Sequence, residues 1–195
     1  MVDYVDIFSN DGIIKIKSKF KIRIGMINYI EGDLFQHITH NDCVIHIVNN
    51  SNIIGGGFTK PLIVWFPGVK DCYHRWFDPN HQIPHPHIVT GPAKLGEIQM
   101  IFFDRDNKPT NSFNKDRCVV NMVAQEGVIS SSNPHPLKYD ALEQCLRKVA
   151  AAYEFKNMRI IAPKFGAGLA GGDWDEIEPL VNSIFQDREI TIFEF

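Results

Sequence analysis

Twice in this chain an apolar run of strand length gives way to a glycine-rich loop and then to the start of a helix. The later copy runs from Ile160 to Trp174, with Gly166, Gly168, Gly171 and Gly172 inside seven residues and Asp173 placed to cap the helix that follows. The earlier copy is Val44-Ile45-His46-Ile47-Val48, then Asn49-Asn50-Ser51-Asn52-Ile53-Ile54-Gly55-Gly56-Gly57-Phe58, then a helix beginning near Thr59 to Pro61. Apolar runs of this kind belong to strands covered on both faces, which makes the chain an α/β protein. The same order of elements is an anion cradle, because glycine lacks Cβ and lets successive backbone N–H groups converge on one phosphate. A tight structural turn needs one or two glycines, fewer than either loop contains.

Asp173-x-x-Glu176 matches a capping box, which would occupy helix-end donors and leave the loop amides, more than the helix terminus, to hold the charge. Gly166, Gly168 and Gly171 also satisfy the dinucleotide fingerprint, with Asp187 or Glu189 near the expected acidic offset. A nicotinamide-dependent oxidoreductase places that loop after its first strand, whereas the residues after Gly171 suffice for one helix and one strand. Position therefore disfavours that reading, and no cofactor is expected.

A chain of 195 residues, 44% hydrophobic and 22% charged, fits one domain with a substantial core. Residues 1–25 read as a β-rich extension: a hairpin of Val5 to Phe8 and Ile13 to Lys17 around Asp11-Gly12, and a third strand at Ile22 to Ile24. The domain proper is residues 26–195. It begins with a strand at Asn28 to Glu31; Pro67 ends the first helix and Val69 to Phe77 forms a second, packing through Tyr73, Trp76 and Phe77. Asp78 to Pro92 reads as an irregular excursion, and Leu95 to Asp104 and Cys118 to Val123 as strands joined by a mobile polar segment from Arg105 to Arg117. Helical spacing of Tyr139, Leu142, Leu146, Val149, Ala150 and Tyr153 gives a long helix crossing back to a parallel strand at Met158 to Ala162. A helix from about Trp174 to Gln186, bent by Pro179, leads to a last strand, Glu189 to Phe193, that closes the sheet. The architecture expected is a three-layer α/β/α sandwich with a mixed, largely parallel sheet and its ligand outside the carboxyl ends of the strands.

A formal charge of −3 argues against non-specific nucleic-acid binding and favours a small anionic ligand. The four cysteines, with no C-x-x-C pair, read as reduced buried thiols. With no signal-peptide pattern and no run of membrane-spanning length, the expected location is the cytoplasm, away from membranes. His81, His85 and His87 alternate with prolines along an extended path, so no metal site is expected. His46, among aliphatic neighbours, reads as a satisfied core histidine. Asp33 is either a helix cap or a ligand contact, and Asn49, Asn50 and Asn52 suit either turns or sugar hydroxyls and an oriented water.

In their order along the chain, Gly32-Asp33-Leu34, His46 to Asn50 with Gly55 to Phe58, Leu95-Gly96-Glu97, Val119 to Gln125 and Pro163 to Trp174 resemble a macro domain, the ADP-ribose-binding fold. The similarity extends from about Tyr29 to the C-terminus. The same motifs mark small stand-alone bacterial and phage macro proteins and the macro domain of the chromatin remodeller amplified in liver cancer. The resemblance implies that Asp33, with Leu34, meets adenine. It lays the loop of Asn49, Asn50, Asn52, Gly55, Gly56, Gly57 and Phe58 along the distal ribose and diphosphate. Phe165, Gly166, Ala167, Gly168 and Leu169 would hold the phosphates, with Gln125 beside the ribose. It further implies ADP-ribose or a derivative as ligand, ADP-ribosylated macromolecules as partners, and either hydrolysis of ADP-ribose 1''-phosphate or an ADP-ribosyl ester, or a non-catalytic reader. Macro hydrolases that use an aspartate after the glycine run have Thr59 in its place here. Those with an aspartate in the last glycine loop have Ala170, and their partner lysine is Phe102. Asn50, where relatives carry an acidic residue, is the catalytic candidate, able to orient water and bind a ribose hydroxyl.

Overall fold

The computed structural model describes residues 5–9, 12–16, 27–78, 87–111, 115–152 and 155–194. Strands β1 (Val5–Ser9) and β2 (Gly12–Ile16) pair antiparallel as a separate two-stranded sheet, in agreement with the expected hairpin. Asp11 of its turn, the third strand at Ile22 to Ile24, His81 and His85 lie outside the described residues.

The main sheet has eight strands: β3 (Ile27–Glu31), β4 (Asp42–Asn49), β5 (His87–Val89), β6 (Ile98–Phe103), β7 (Pro109–Thr110), β8 (Arg117–Gln125), β9 (Arg159–Pro163) and β10 (Ile190–Glu194). Their order is β3-β10-β9-β4-β8-β6-β5, with β7 also on β6. The five strands from β3 to β8 in that order are parallel; β6 runs antiparallel to β8, and β5 and β7 antiparallel to β6.

Helices α1 (Thr59–Trp65) and α2 (Gly68–Trp76) cover one face, α3 (Tyr139–Ala151) and α4 (Trp174–Ile184) the other. The two-residue period of a strand sorts the core between them. In β4, Cys43 and Ile45 pack with Leu142, Leu146, Ile177 and Val181, whereas Val44 packs with Leu62, Phe66 and Val69. Tyr73 and Trp76 are buried as their spacing predicts, and all four cysteines are free and buried. Helix α4 continues through Pro179. Among the described residues no helix is long and apolar enough to cross a membrane.

Two expectations are corrected, and a third falls partly outside the described residues. The excursion from Asp78 to Pro92 contains a strand, β5, recruited by the open edge of β6. The segment from Arg105 to Arg117 lies partly outside the described residues; within them Asp104 Oδ1 accepts from the N–H groups of Asp106 and Lys108, Arg117 donates to Asn107 Oδ1 at 2.7 Å, and β7 pairs with β6. The last strand does not close the sheet; β10 inserts between β9 and β3, so the edge belongs to β3.

At the amino-terminal ends of β4 and β9, the buried Asp42 carboxylate takes two hydrogen bonds of 2.8 Å from Arg159. Adjacency of these two strands is thereby fixed at one end of the sheet, and at the other end their loops emerge side by side.

Candidate functional site

The loops after β4 and β9 are the two glycine-rich stretches, and because their strands are neighbours they wall a single cleft of about 550 Å³ at the carboxyl edge. A second hollow of about 410 Å³ shares Gly57, Phe58, Pro163 and Lys164 with it and continues to Phe193 and Glu194 at the end of β10. Leu169 of the later loop is the neighbour that a Cβ on Gly56 or Gly57 would meet, at 3.2 and 3.1 Å, so the loops touch.

Backbone hydrogen bonding accounts for only part of each loop. Phe165, Gly171 and Gly172 donate to Pro163, Gly168 and Gly166. Among the described residues the N–H groups of Gly166, Ala167, Gly168, Leu169 and Ala170 have no acceptor, nor do those of Gly56, Gly57 and Phe58. Two runs of unpaired donors bordering one cleft form a nest for an anion. Among the described residues the walls of the larger hollow carry no carboxylate, and their ionisable side chains are His46 and Lys164. The Lys164 ammonium pairs with Glu194 and stands 5.9 Å from the Tyr29 and Trp174 ring centres.

The α4 terminus is not part of this nest. Asp173 caps it by accepting from Asp175 N–H at 3.0 Å, and Asp175 and Glu176 add negative charge to its first turn. The reciprocal half of the capping box is absent among the described residues, because Asp173 N–H donates to Tyr139 Oη at 2.9 Å instead of to Glu176.

The glycines divide by what a side chain would encounter. At Gly171, φ is +68° and a Cβ would run into the Pro134 carbonyl; at Gly172 it would run into Leu137. Those two are required by packing. Among the described residues Gly168 has no such neighbour within 4 Å, its backbone is not left-handed, and it lines the cleft. Gly171→Ala should therefore destabilise the fold by about 2 kcal/mol through left-handed strain and the displaced Pro134 backbone. Denaturant unfolding measures this; a midpoint equal to wild type would refute the packing assignment.

Of the expected site residues, the structure brings Asn49, Gly55, Gly56, Gly57, Phe58, Gln125, Phe165, Gly166, Gly168 and Leu169 to the cleft wall. Five others lie outside both hollows. Asp33 caps the short 3-10 turn Leu34–Gln36 by accepting from Phe35 N–H at 2.9 Å, while neighbouring Gly32 donates to the Glu194 carbonyl beside the second hollow. Leu34 is a core residue, Ala167 is exposed and borders neither hollow, and Asn52, at φ +59°, pairs with His74. Asn50 Oδ1 accepts from Gly127 N–H at 2.9 Å, tying the β4 loop to the loop after β8. Asn49 lines the cleft, but its side chain shapes the loop: Oδ1 accepts from Ser51 N–H, Ile53 N–H and Tyr73 Oη, and Nδ2 donates to the Ile53 carbonyl.

Sequence reasoning overlooked Ile53, Val128, Ile129 and Lys164. Ile53, Val128, Ile129 and Leu169 are 39 to 55% exposed and together give the cleft an aliphatic rim. The basic residue at the strand end was a visible signal for Lys164; Val128 and Ile129 had none. Thr59, where some macro hydrolases have aspartate, staples the glycine loop: its Oγ1 accepts from Gly55 N–H and donates to the Gly56 carbonyl.

His46 is buried, as expected, but only half satisfied. Nε2 lies 2.6 Å from Asn121 Oδ1, and Nδ1, also buried, has no partner among the described residues. Burial lowers its pKa to about 4, with the Asn121 bond and the Ile47 backbone opposing that only in part. It is therefore neutral at pH 7.

Comparison with solved structures places this architecture among the macrodomains. A macrodomain protein from Streptomyces coelicolor superposes with a TM-score of 0.64 at 21% identity, over 87% of this chain and 99% of that one. A Bacteroides thetaiotaomicron protein of unknown function gives 0.69 at 26% identity, over 88% and 99%. Thermosipho africanus DarTG, solved in complex with ADP-ribose, gives 0.62 at 15% identity, over 85% of this chain and 41% of that one. No protein-family model and no curated protein matches the sequence.

Proposed function

We propose that this protein binds ADP-ribose or a derivative, with residues 26–195 as the binding domain and residues 1–25 as an extension. The observation that carries the reading is the pair of facing loops whose N–H groups, unpaired among the described residues, border one cleft with no carboxylate among the described residues of its larger hollow. A diphosphate meets those donors, and the two hollows on either side of Gly57, Phe58 and Lys164 take the two sugar-bearing ends. The adenosine end goes to the smaller hollow at Phe193 and Glu194, near Asp33, and the distal ribose to the larger one beside Gln125. The DarTG complex supports the choice of ligand. Titration calorimetry with ADP-ribose, AMP and NAD is expected to show micromolar affinity for ADP-ribose and weaker binding of the other two; equal or absent binding of all three overturns the proposal.

ADP-ribose carried on a macromolecule is the natural extension of this reading, since the cleft is open to solvent at its aliphatic rim. The geometry favours recognition over rapid hydrolysis. Thr59 and Asn50 Oδ1 are committed to the loops, so neither is available to take a proton. Hydrolysis of ADP-ribose 1''-phosphate or of an ADP-ribosyl ester keeps one observation in its favour, the neutral His46 imidazole in the wall. Release of phosphate or free ADP-ribose from those substrates distinguishes the two readings.

A further inference from the structure

The least economical feature of the core is a row of three polar side chains. His46, Asn121 and Gln99 are register partners on the adjacent strands β4, β8 and β6, and each is at most 2% exposed. His46 Nε2 meets Asn121 Oδ1 at 2.6 Å, Asn121 Nδ2 donates to Gln99 Oε1 at 2.8 Å, and Gln99 Nε2 donates to the Cys72 carbonyl in α2 at 2.7 Å. Three apolar residues would fill the same row without desolvating any polar group.

The row has a fixed direction. A backbone carbonyl only accepts, so the Gln99 amide must turn its NH₂ to Cys72 and its oxygen to Asn121. The Asn121 NH₂ then faces Gln99 and its oxygen faces His46. An amide oxygen only accepts, so the hydrogen of the neutral imidazole sits on Nε2 and Nδ1 is left with a bare lone pair. That lone pair is the unpartnered atom of the row, on a residue that lines the larger hollow. A buried acceptor without a donor opposes folding by about 1–3 kcal/mol, which makes such a group a candidate for a functional role.

Resting on the ADP-ribose reading, we propose that His46 Nδ1 accepts a hydrogen bond from a hydroxyl of the sugar in the larger hollow, with Asn121 and Gln99 as positioning residues that hold the required tautomer. The choice of sugar follows from the walls: His46 lines the larger hollow and not the smaller. The aromatic ring leaning on the imidazole is Phe58, with centroids 5.9 Å apart, and Nδ1 is closed to solvent in this arrangement. Reaching it requires Phe58, which follows three glycines, to swing aside as the sugar enters.

Nitrogen NMR of the wild-type imidazole provides the test. Before ligand is added, His46 should show a protonated Nε2 and a bare Nδ1; at saturation with ADP-ribose, the Nδ1 resonance should move in the direction of hydrogen-bond acceptance. In parallel, His46→Phe should lose about five- to tenfold in affinity for ADP-ribose while its affinity for ADP, which lacks the distal sugar, stays at the wild-type value. An unmoved Nδ1 resonance in ligand-saturated wild type overturns the assignment and leaves the ADP-ribose reading standing. Equal losses for ADP and ADP-ribose also overturn it. Failure of the wild type to bind ADP-ribose overturns both. Should His46→Phe fail to fold, the wild-type spectrum decides alone.

Discussion

Gly168→Val is expected to weaken ADP-ribose binding by roughly 30- to 1000-fold, equivalent to about 2–4 kcal/mol, while leaving thermal stability unchanged. The two halves of this expectation come from one observation. Among the described residues a Cβ at Gly168 meets no atom within 4 Å, and its backbone is not left-handed, so the fold accommodates the new side chain. Gly168 itself borders the cleft, beside the unpaired N–H groups of Gly166 to Ala170. A branched side chain there keeps a phosphate from approaching several donors at once, and convergent amides have their effect only at hydrogen-bond distance. Calorimetry and a melting curve on the same preparation check both halves. Undiminished affinity would remove the later loop from the site; a lowered melting temperature would return Gly168 to the structural glycines.

The second large effect is a pH dependence. His46 has its pKa lowered from 6.5 to about 4 in the fold, chiefly by burial. Between those values the unfolded chain binds a proton at this position and the folded chain does not, so stability rises with pH across the window and falls as the solution is acidified from 6.5 towards 4. The full swing corresponds to about 3 kcal/mol. Below pH 4 both states are protonated and the slope from this group vanishes. Other groups titrate in the same window, which makes the difference between wild type and His46→Phe the informative quantity. Chemical denaturation from pH 4 to 7.5 should show the wild type losing more stability on acidification than the variant. Parallel curves would mean that the imidazole is protonated as readily in the fold as out of it.

Periodicity and glycine density made much of this architecture readable. The apolar run from Val44 to Val48, interrupted only by His46, and that from Ile160 to Pro163 read as strands covered on both faces, and the helical spacing from Tyr139 to Val149 gives the crossover from β8 into the second of them. Strand order was less accessible: inserting β10 between β9 and β3 is settled by pairing across the sheet, which no local pattern encodes. The site divides in the same way. Both loops read as anion cradles from composition alone, yet Gly168 and Gly171 look alike in sequence. They differ because Pro134, far away along the chain, lies where a Cβ on Gly171 would go, whereas no described residue lies there for Gly168. His46 was legible as buried but not as half satisfied, since its partner Asn121 is brought opposite by strand register. Asn50 reads as a polar group available to a ligand; its carbonyl is in fact spent on Gly127, which arrives from another loop.

On the proposed function, the loops after β4 and β9 hold one diphosphate between them. Amide proton–nitrogen spectra of the wild-type protein titrated with ADP-ribose test this. The N–H resonances of Gly56, Gly57 and Phe58 and those of Gly166 to Leu169 should shift together, in the sense of new hydrogen bonds to a charged acceptor and with a single dissociation constant. Movement of one loop alone, or of neither while ADP-ribose binds elsewhere, would contradict it.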